Sequence, residues 1–235
     1  MSTDLYLGIE TSGKSTGLAL ATAGRVVAEL VEDSKCGHNE TLMPLLERLL
    51  KDAGAKASRL GGIGVDVGPG MFTSLRVGVS TAKGLAIAYR TPVVGLGSLW
   101  GLARTARPNL DLVIALIDAR KQQVYAALYM DGKAAIPPSV MNPRELASAT
   151  LEVLGGRTDL ATSGNGVSIC ATHFAAAGIR LDLGGTELPS AGVIATEAGA
   201  RIARGQADDL ASLEPLYLRR TDAELTREQK LGSNT

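Results

Sequence analysis

Two short stretches carry residues whose types and spacing suit phosphate chemistry. Gly8-Ile-Glu-Thr-Ser-Gly-Lys-Ser15 fits G-x-x-x-x-G-K-[ST], a pattern in which backbone amides cradle phosphates and the lysine meets their charge. Leu112-Val-Ile-Ala-Leu-Ile-Asp118 is an apolar run ending in an acid, the form of a strand that holds a metal beside such a loop. Other candidates for chemistry are sparse. His38 and His173 are the only histidines, and Cys36 and Cys170 the only cysteines, with no C-x-x-C and no histidine cluster. No zinc pattern, Ser-His-Asp set or cysteine nucleophile emerges from them, and the cysteines read as two reduced, buried thiols. His38 reads as a helix-start or surface residue, and Asp118 with Arg120 as a pair across a turn.

Chemistry at the first stretch depends on the elements that hold it. A phosphate loop needs a buried strand before it and a long helix after it, whose first amides face the phosphates. Here Gly8 sits inside the strand alternation Leu5-Tyr-Leu-Gly-Ile9, and Gly17 and Gly24 bracket only a short stretch after Lys14. Glycine costs a helix interior about 1 kcal/mol relative to alanine, so the required helix is poorly encoded. The spacing predicts a three-stranded meander instead, over Leu5–Ile9, Leu18–Leu20 and Val26–Val31, although Val26, Val27, Leu30 and Val31 also suit a helix. Lys14 then becomes a solvated turn residue, and Asp118 opens a hairpin rather than a metal site. A strand, an acid, a Thr/Ser-Gly turn and a returning strand are also how the actin and sugar-kinase class of ATPases builds its first phosphate hairpin. Glu10, Thr11, Ser12 and Gly13 occupy those places.

Beyond this hairpin, Leu42, Leu45, Leu46, Leu49, Leu50 and Ala53 recur at helical spacing, with Gly54 as the stop. Pro44 is tolerated in a first turn, which places the helix start between Asn39 and Met43. Ile63–Val67 reads as a buried strand, and Gly68-Pro-Gly70 as the bend into a small-faced helix from Thr73 to Tyr89. Val93–Gly95, Leu112–Ile117 and Val124–Tyr129 read as strands, Leu160–Ser163 leads into the loop Gly164-Asn-Gly166, and Arg144–Leu154 and Ala191–Arg204 read as helices. Pro137-Pro138 and Asn142-Pro143 read as punctuation. Both halves open with strand hairpins followed by helices, so the chain is expected to be an α/β protein of two related lobes. The expected division is 1–104 and 105–190, with the helix near 191–204 returning to the first lobe and 220–235 a flexible tail.

Composition narrows the function. The 235 residues are 45% hydrophobic and 20% charged, as in an ordinary globular protein. Lys+Arg and Asp+Glu number 24 each and aromatics make up 3%, which disfavours a protein held on nucleic acid by its own field or by base stacking. No stretch resembles a signal peptide or approaches the roughly 20 apolar residues of a membrane helix, so a cytoplasmic protein is expected.

At Gly68-Pro-Gly-Met-Phe-Thr-Ser-Leu-Arg-Val-Gly78 the chain resembles the GPGSFTGLRIG signature of the bacterial TsaB (YeaZ) family. Four further strings are similar in order. IETSGKSTGLAL resembles the family's I-D-T-S-T hairpin, His38–Leu46 its H-S-E-x-L-L-P, Asp118–Tyr125 its D-A-R-x-G-x-V-Y, and Glu214–Arg219 its E-P-x-Y-L-R. Departures are Glu10 for Asp, Asn39 for Ser, Met71 for Ser, Ser74 for Gly and Gln122 for Gly; all lie within the motifs.

The resemblance implies a two-lobed actin-like fold (the ribonuclease H-like, ASKH class), each lobe a mixed sheet with helices. It implies a non-catalytic scaffold that pairs with a TsaD-like transferase in threonylcarbamoyl-adenosine modification of tRNA next to the anticodon. A TsaE-like ATPase joins the assembled complex, the tRNA is met only indirectly, and the isolated chain forms homodimers. ATP and a metal belong to the partners. TsaD-like proteins carry an H-x-x-x-H metal motif that His38 and His173 cannot supply, so no catalytic residue, metal or cofactor is expected on this chain. Glu10, Thr11, Ser12, Gly68 and Gly70 remain relic nucleotide-binding candidates. The implied partner surface is the helix pair 39–53 and 73–90, through Leu42, Leu45, Leu46, Leu49, Arg76, Val79, Ala82, Lys83 and Ala86. The enzyme readings that compete are an independent actin-like ATPase or kinase, and a P-loop hydrolase.

Overall fold

The computed structural model describes residues 4–22, 24–183 and 185–219. The opening alternation becomes an antiparallel meander of β1 (Leu5–Glu10), β2 (Ser15–Thr22) and β3 (Arg25–Asp33). Pairing overrides the helical spacing of Val26–Val31. β1 also pairs in parallel with β4 (Leu60–Gly68), and β4 with β5 (Val93–Gly97), giving the order β3-β2-β1-β4-β5. A second sheet repeats this plan. β6 (Leu112–Asp118), β7 (Val124–Met130) and β8 (Lys133–Met141) form a meander, and β6 continues in parallel to β9 (Asp159–Ser163) and β10 (Arg180–Asp182). Two lobes of one topology result.

The two faces of the first sheet differ in side-chain size. On β2, Leu18 and Leu20 point into a cluster with Leu42, Leu45, Leu46 and Leu49 of α1 (His38–Asp52) and Val79, Ala82 and Ala86 of α2 (Phe72–Tyr89). Ala19 and Ala21, on the alternate face, meet Ala191 and Ala195 of α6 (Ala191–Ala203). Small residues let α6 lie close. A Cβ on Gly8 would stand 2.1 Å from the Ala191 carbonyl oxygen, and one on Gly64 2.7 Å from that of Ile194. On the second sheet, α3 (Ser98–Ala106) packs Leu99, Leu102 and Ala103 against Val113, Ala115 and Ala127, and the other face meets α4 (Pro143–Leu154) and α5 (Val167–Ala176). α3 therefore straddles residues 104 and 105 while packing on the second sheet; α6 lies on the first. The expected tail 220–235 lies outside the described residues.

Several sequence expectations change. α1 begins at His38, which puts Pro44 in its second turn rather than its first. Pro44 and Glu40 both face solvent, where water can take the place of the missing helical donor. Pro137 and Pro138 lie inside β8 rather than ending it; β8 is an edge strand, where a missing amide breaks no ladder. α3, α5, β8 and β10 were not expected. Cys36 is exposed and only Cys170 is buried, because Cys36 falls in the open turn before α1. Among the described residues no helix is long and apolar enough to cross a membrane.

Candidate functional site

The hairpin between β1 and β2 turns straight back into a strand, so the helix a phosphate loop requires is absent, and the P-loop reading falls with it. Around this turn lie two buried carboxyls on neighbouring parallel strands. Glu10, 2% exposed at the end of β1, accepts hydrogen bonds from the Ser12 amide (2.6 Å) and hydroxyl (2.5 Å) through Oε1. Asp66, fully buried in β4, accepts from the Gly68 amide (2.7 Å) and the Ser98 hydroxyl (2.6 Å) through Oδ1, and its Oδ2 has no partner. Burial, reinforced by the neighbouring charge of Asp66, pushes Glu10 up to about 8. Burial also raises Asp66, to about 6, against the opposing hydrogen bonds from Ser98 and Gly68. Burial thus pushes both carboxyls toward the protonated form, Glu10 the further of the two. Asp66 escaped the sequence reading because Ile63-Gly-Val-Asp-Val67 looks like an ordinary buried strand; an acid inside an apolar run was the available signal.

The other relic candidates gather here but point into the protein. Thr11 is fully buried, and its hydroxyl lies against α2, where a Cβ on Gly78 would stand 2.3 Å away. Gly70 packs on Ser12, and the Met71 amide donates to the Ser12 carbonyl at 2.8 Å. Gly68 supplies the positive φ (105°) of the bend. The side of Gly13 facing the second lobe is filled by the chain itself. A Cβ there would stand 2.2 Å from Leu188 Cδ2. Leu188 belongs to a strap, residues 185–190, that leaves the second sheet and enters α6. The strap is fixed where the Gly164 amide donates to the Thr186 carbonyl (2.6 Å) and Pro189 covers Gly101.

Across the cleft, the β6–β7 turn bears out the expected pair. Asp118 accepts from the Arg120 amide at 2.7 Å and meets its guanidinium at 3.3 Å. Arg120, Lys121 and Gln122 take left-handed φ values of 63°, 53° and 59°. A cleft of about 240 Å³ separates this turn from α2, lined by Gly70, Phe72, Arg120, Tyr125, Tyr217 and Arg219. Phe72 and Tyr217 stand 5.1 Å apart, and Arg76 lies 3.9 Å over Phe72 while donating to the Tyr217 hydroxyl at 3.0 Å. Three strings far apart in sequence (68–78, 118–125 and 214–219) thus meet at one place.

The expected partner surface needs correction. Leu42, Leu45, Leu46 and Leu49 are all 1–2% exposed, and Val79, Ala82 and Ala86 are buried with them. The four leucines cover the chain's own sheet and α2 together, so none of them is left for a partner. Lys83 is tied to the Leu213 carbonyl at 3.1 Å, and Arg76 is exposed. Outward on the same two helices stand Met43, Phe72, Arg76, Ser80 and Ile87, and a groove of about 470 Å³ runs between the helices past Met43, Phe72, Arg76 and Val77. Among the described residues no group of three or more His, Cys, Asp or Glu is placed to hold a metal.

Comparison with known proteins gives one consistent result. The family model described as TsaD, tRNA N6-adenosine threonylcarbamoyltransferase, matches residues 25–225. The TsaB protein of tRNA threonylcarbamoyladenosine biosynthesis from Bacillus subtilis is 34% identical over 63% of this chain and 65% of its own length, so that match spans less than two thirds of the relative. The Escherichia coli TsaB is 28% identical over 91% of this chain and 94% of its own. YeaZ from Pseudomonas aeruginosa superposes with a TM-score of 0.75 at 27% identity, covering 92% of this chain and all of that one. Component A of the Acidaminococcus fermentans (R)-2-hydroxyglutaryl-CoA dehydratase shares the fold alone, at a TM-score of 0.51 and 13% identity over 85% of this chain and 99% of that one. The two-lobed actin-like architecture is thereby shown.

Proposed function

Since this chain belongs to the TsaD family and, within it, to the TsaB (YeaZ) branch, we propose that it is the non-catalytic partner of a TsaD-like transferase. In this reading it supports threonylcarbamoyl-adenosine synthesis next to the tRNA anticodon, in a complex that a TsaE-like ATPase joins and whose ATP and metal sit on the partners. The observation that carries it is the hairpin turn occupied by Leu188. An actin-like ATPase needs room for phosphate at this turn, and here Leu188 of the chain's own strap fills the space beside Gly13 while Glu10 and Thr11 are buried. That same fact disfavours an independent ATPase or kinase.

The docking surface in this proposal is the outer face of α1 and α2, not their leucine stripe. Met43 is 51% exposed and Ile87 67%, and the groove between the helices offers an aliphatic and aromatic floor. In the absence of the transferase, the same faces of two copies pair. The test is co-purification of the full chain with the TsaD-like protein of the same cell. Met43→Glu and Ile87→Glu leave folding intact by circular dichroism, because both side chains lie in solvent. Each forces an unpaired charge into the contact and weakens binding at least about tenfold. Wild-type affinity in both folded variants places the contact elsewhere. Threonylcarbamoyl transfer by the chain alone, free of the partner, overturns the non-catalytic reading.

A further inference from the structure

Residues 213–219 cross from the first lobe to the second with no helix or strand of their own, so individual bonds and side chains alone fix their path. We propose that this segment is a clasp that holds the two lobes at one angle across the cleft. Its hold on the first lobe is the longer one. Lys83 of α2 donates to the Leu213 carbonyl at 3.1 Å, and the Leu216 amide donates to the Val67 carbonyl of β4 at 2.7 Å. Tyr217 meets Phe72 with ring centroids 5.1 Å apart, and its hydroxyl accepts from Arg76 at 3.0 Å. The next two residues belong to the other lobe. Leu218 packs on the cluster of Leu99, Leu102, Val113 and Ala127 that α3 forms with the second sheet. Arg219 donates to the Ala119 carbonyl at 3.1 Å, in the β6–β7 turn.

Both ends of the clasp rest on arginine. A guanidinium hydrogen bond carries a full charge and is stronger than one between neutral groups, and the Arg76 cation 3.9 Å over Phe72 adds attraction to the ring. The residues also account for strings that the docking face leaves without a task. Phe72 and Arg76 belong to Gly68–Gly78, Ala119 to Asp118–Tyr125, and Tyr217, Leu218 and Arg219 to Glu214–Arg219. All six are letters that this chain shares with the TsaB strings, and the docking face draws only on the first string. A clasp employs all three. Phe72 and Arg76 also wall the groove between α1 and α2, so the clasp ties the proposed docking face to the second lobe. That link rests on the docking reading; the clasp itself does not.

The competing account is that each contact only packs its own side of the cleft. Amide hydrogen exchange of the full chain, followed by NMR, separates the two, because a clasp that opens exposes amides on the lobe opposite the lost anchor. Arg219→Ala removes the second-lobe anchor. It is expected to speed exchange in the first lobe at Gly68 and Met71, whose amides bond to Asp66 and to the Ser12 carbonyl. Tyr217→Ala removes a first-lobe anchor. It is expected to speed exchange in the second lobe at Ala119 and Gln123, whose amides close the β6–β7 turn. Each acceleration is at least about tenfold, the size of one lost charge-assisted bond. Tyr217→Phe, which removes only the hydroxyl, gives a milder form of the same pattern in case the alanine variant folds poorly. Faster exchange confined to the lobe whose anchor was removed, or exchange unchanged in every folded variant, overturns the clasp. Co-purification of the same variants with the TsaD-like protein bears on the docking face alone, so the two readings fail separately.

Discussion

Burial pushes Glu10 toward its protonated form, and the sign of its effect on stability follows from that. Its value in the folded chain, about 8, lies above the ordinary 4.5, so the folded state binds the proton more tightly than the unfolded state does. The contribution is complete below about pH 4.5 and is lost as pH rises through about 8. Asp66 acts in the same direction over a lower window, from 3.8 to about 6. Urea unfolding of the wild type should therefore give a lower midpoint at about pH 9 than at about pH 5. Glu10→Gln, which keeps the shape and removes the ionisation, should narrow the gap between the two midpoints and leave only the part that Asp66 contributes below about pH 6; an unchanged pH dependence would mean that Glu10 is ionised in the fold. Half of this pair was legible. Glu10 stood out beside a Thr-Ser-Gly turn, whereas Asp66 lay in a run whose apolar neighbours disguised it, and only strand pairing brings the two together. Leu188, which covers Gly13, had no local signal at all.

Elements were easier to read than the surfaces they present. The meander, both leucine- and alanine-rich helices and the β6–β7 hairpin follow from periodicity, since alternation and helical spacing are properties of local sequence. Which column of α1 faces out does not. Leu42, Leu45, Leu46 and Leu49 all find room inside because α1 lies across both a sheet and α2, a packing that no one-dimensional pattern reports. Leu46→Glu is accordingly expected to prevent folding rather than to test an interface, and circular dichroism with a thermal melt distinguishes it from Met43→Glu. The opposite face of the sheet has its own test in Gly8. Its missing side chain lets the α6 backbone approach, and the nearest atoms are the Ala191 carbonyl oxygen at 2.1 Å and the Ala195 amide nitrogen at 2.8 Å. Backbone cannot swing aside as a side-chain tip can. Gly8→Ala should destabilise by roughly 1–3 kcal/mol or more through overpacking, read as a lower urea midpoint with an unchanged slope. Gly13→Ala meets only the end of Leu188 and should cost far less.

At the scale of the whole molecule, the two sheets repeat one strand order, while α3 packs on the second and α6 returns to the first. The paired-lobe plan was readable from the recurrence of hairpin-then-helix in both halves, but the crossing of these two helices was not. Size-exclusion chromatography with light scattering should show the isolated chain as a dimer that Met43→Glu and Ile87→Glu both convert to monomer. A monomeric wild type would remove self-pairing from the proposed role of these faces. The strap at 185–190 has a mechanical consequence. Many two-lobed kinases close like jaws around their ligand, through a hinge that flexes freely. Here Leu188 is wedged against one lobe, Thr186 is tied to the other, and Pro189 presses on α3. Opening such a jaw here would have to draw Leu188 away from Gly13 or break the bond between the Gly164 amide and the Thr186 carbonyl, so the strap resists separation of the lobes.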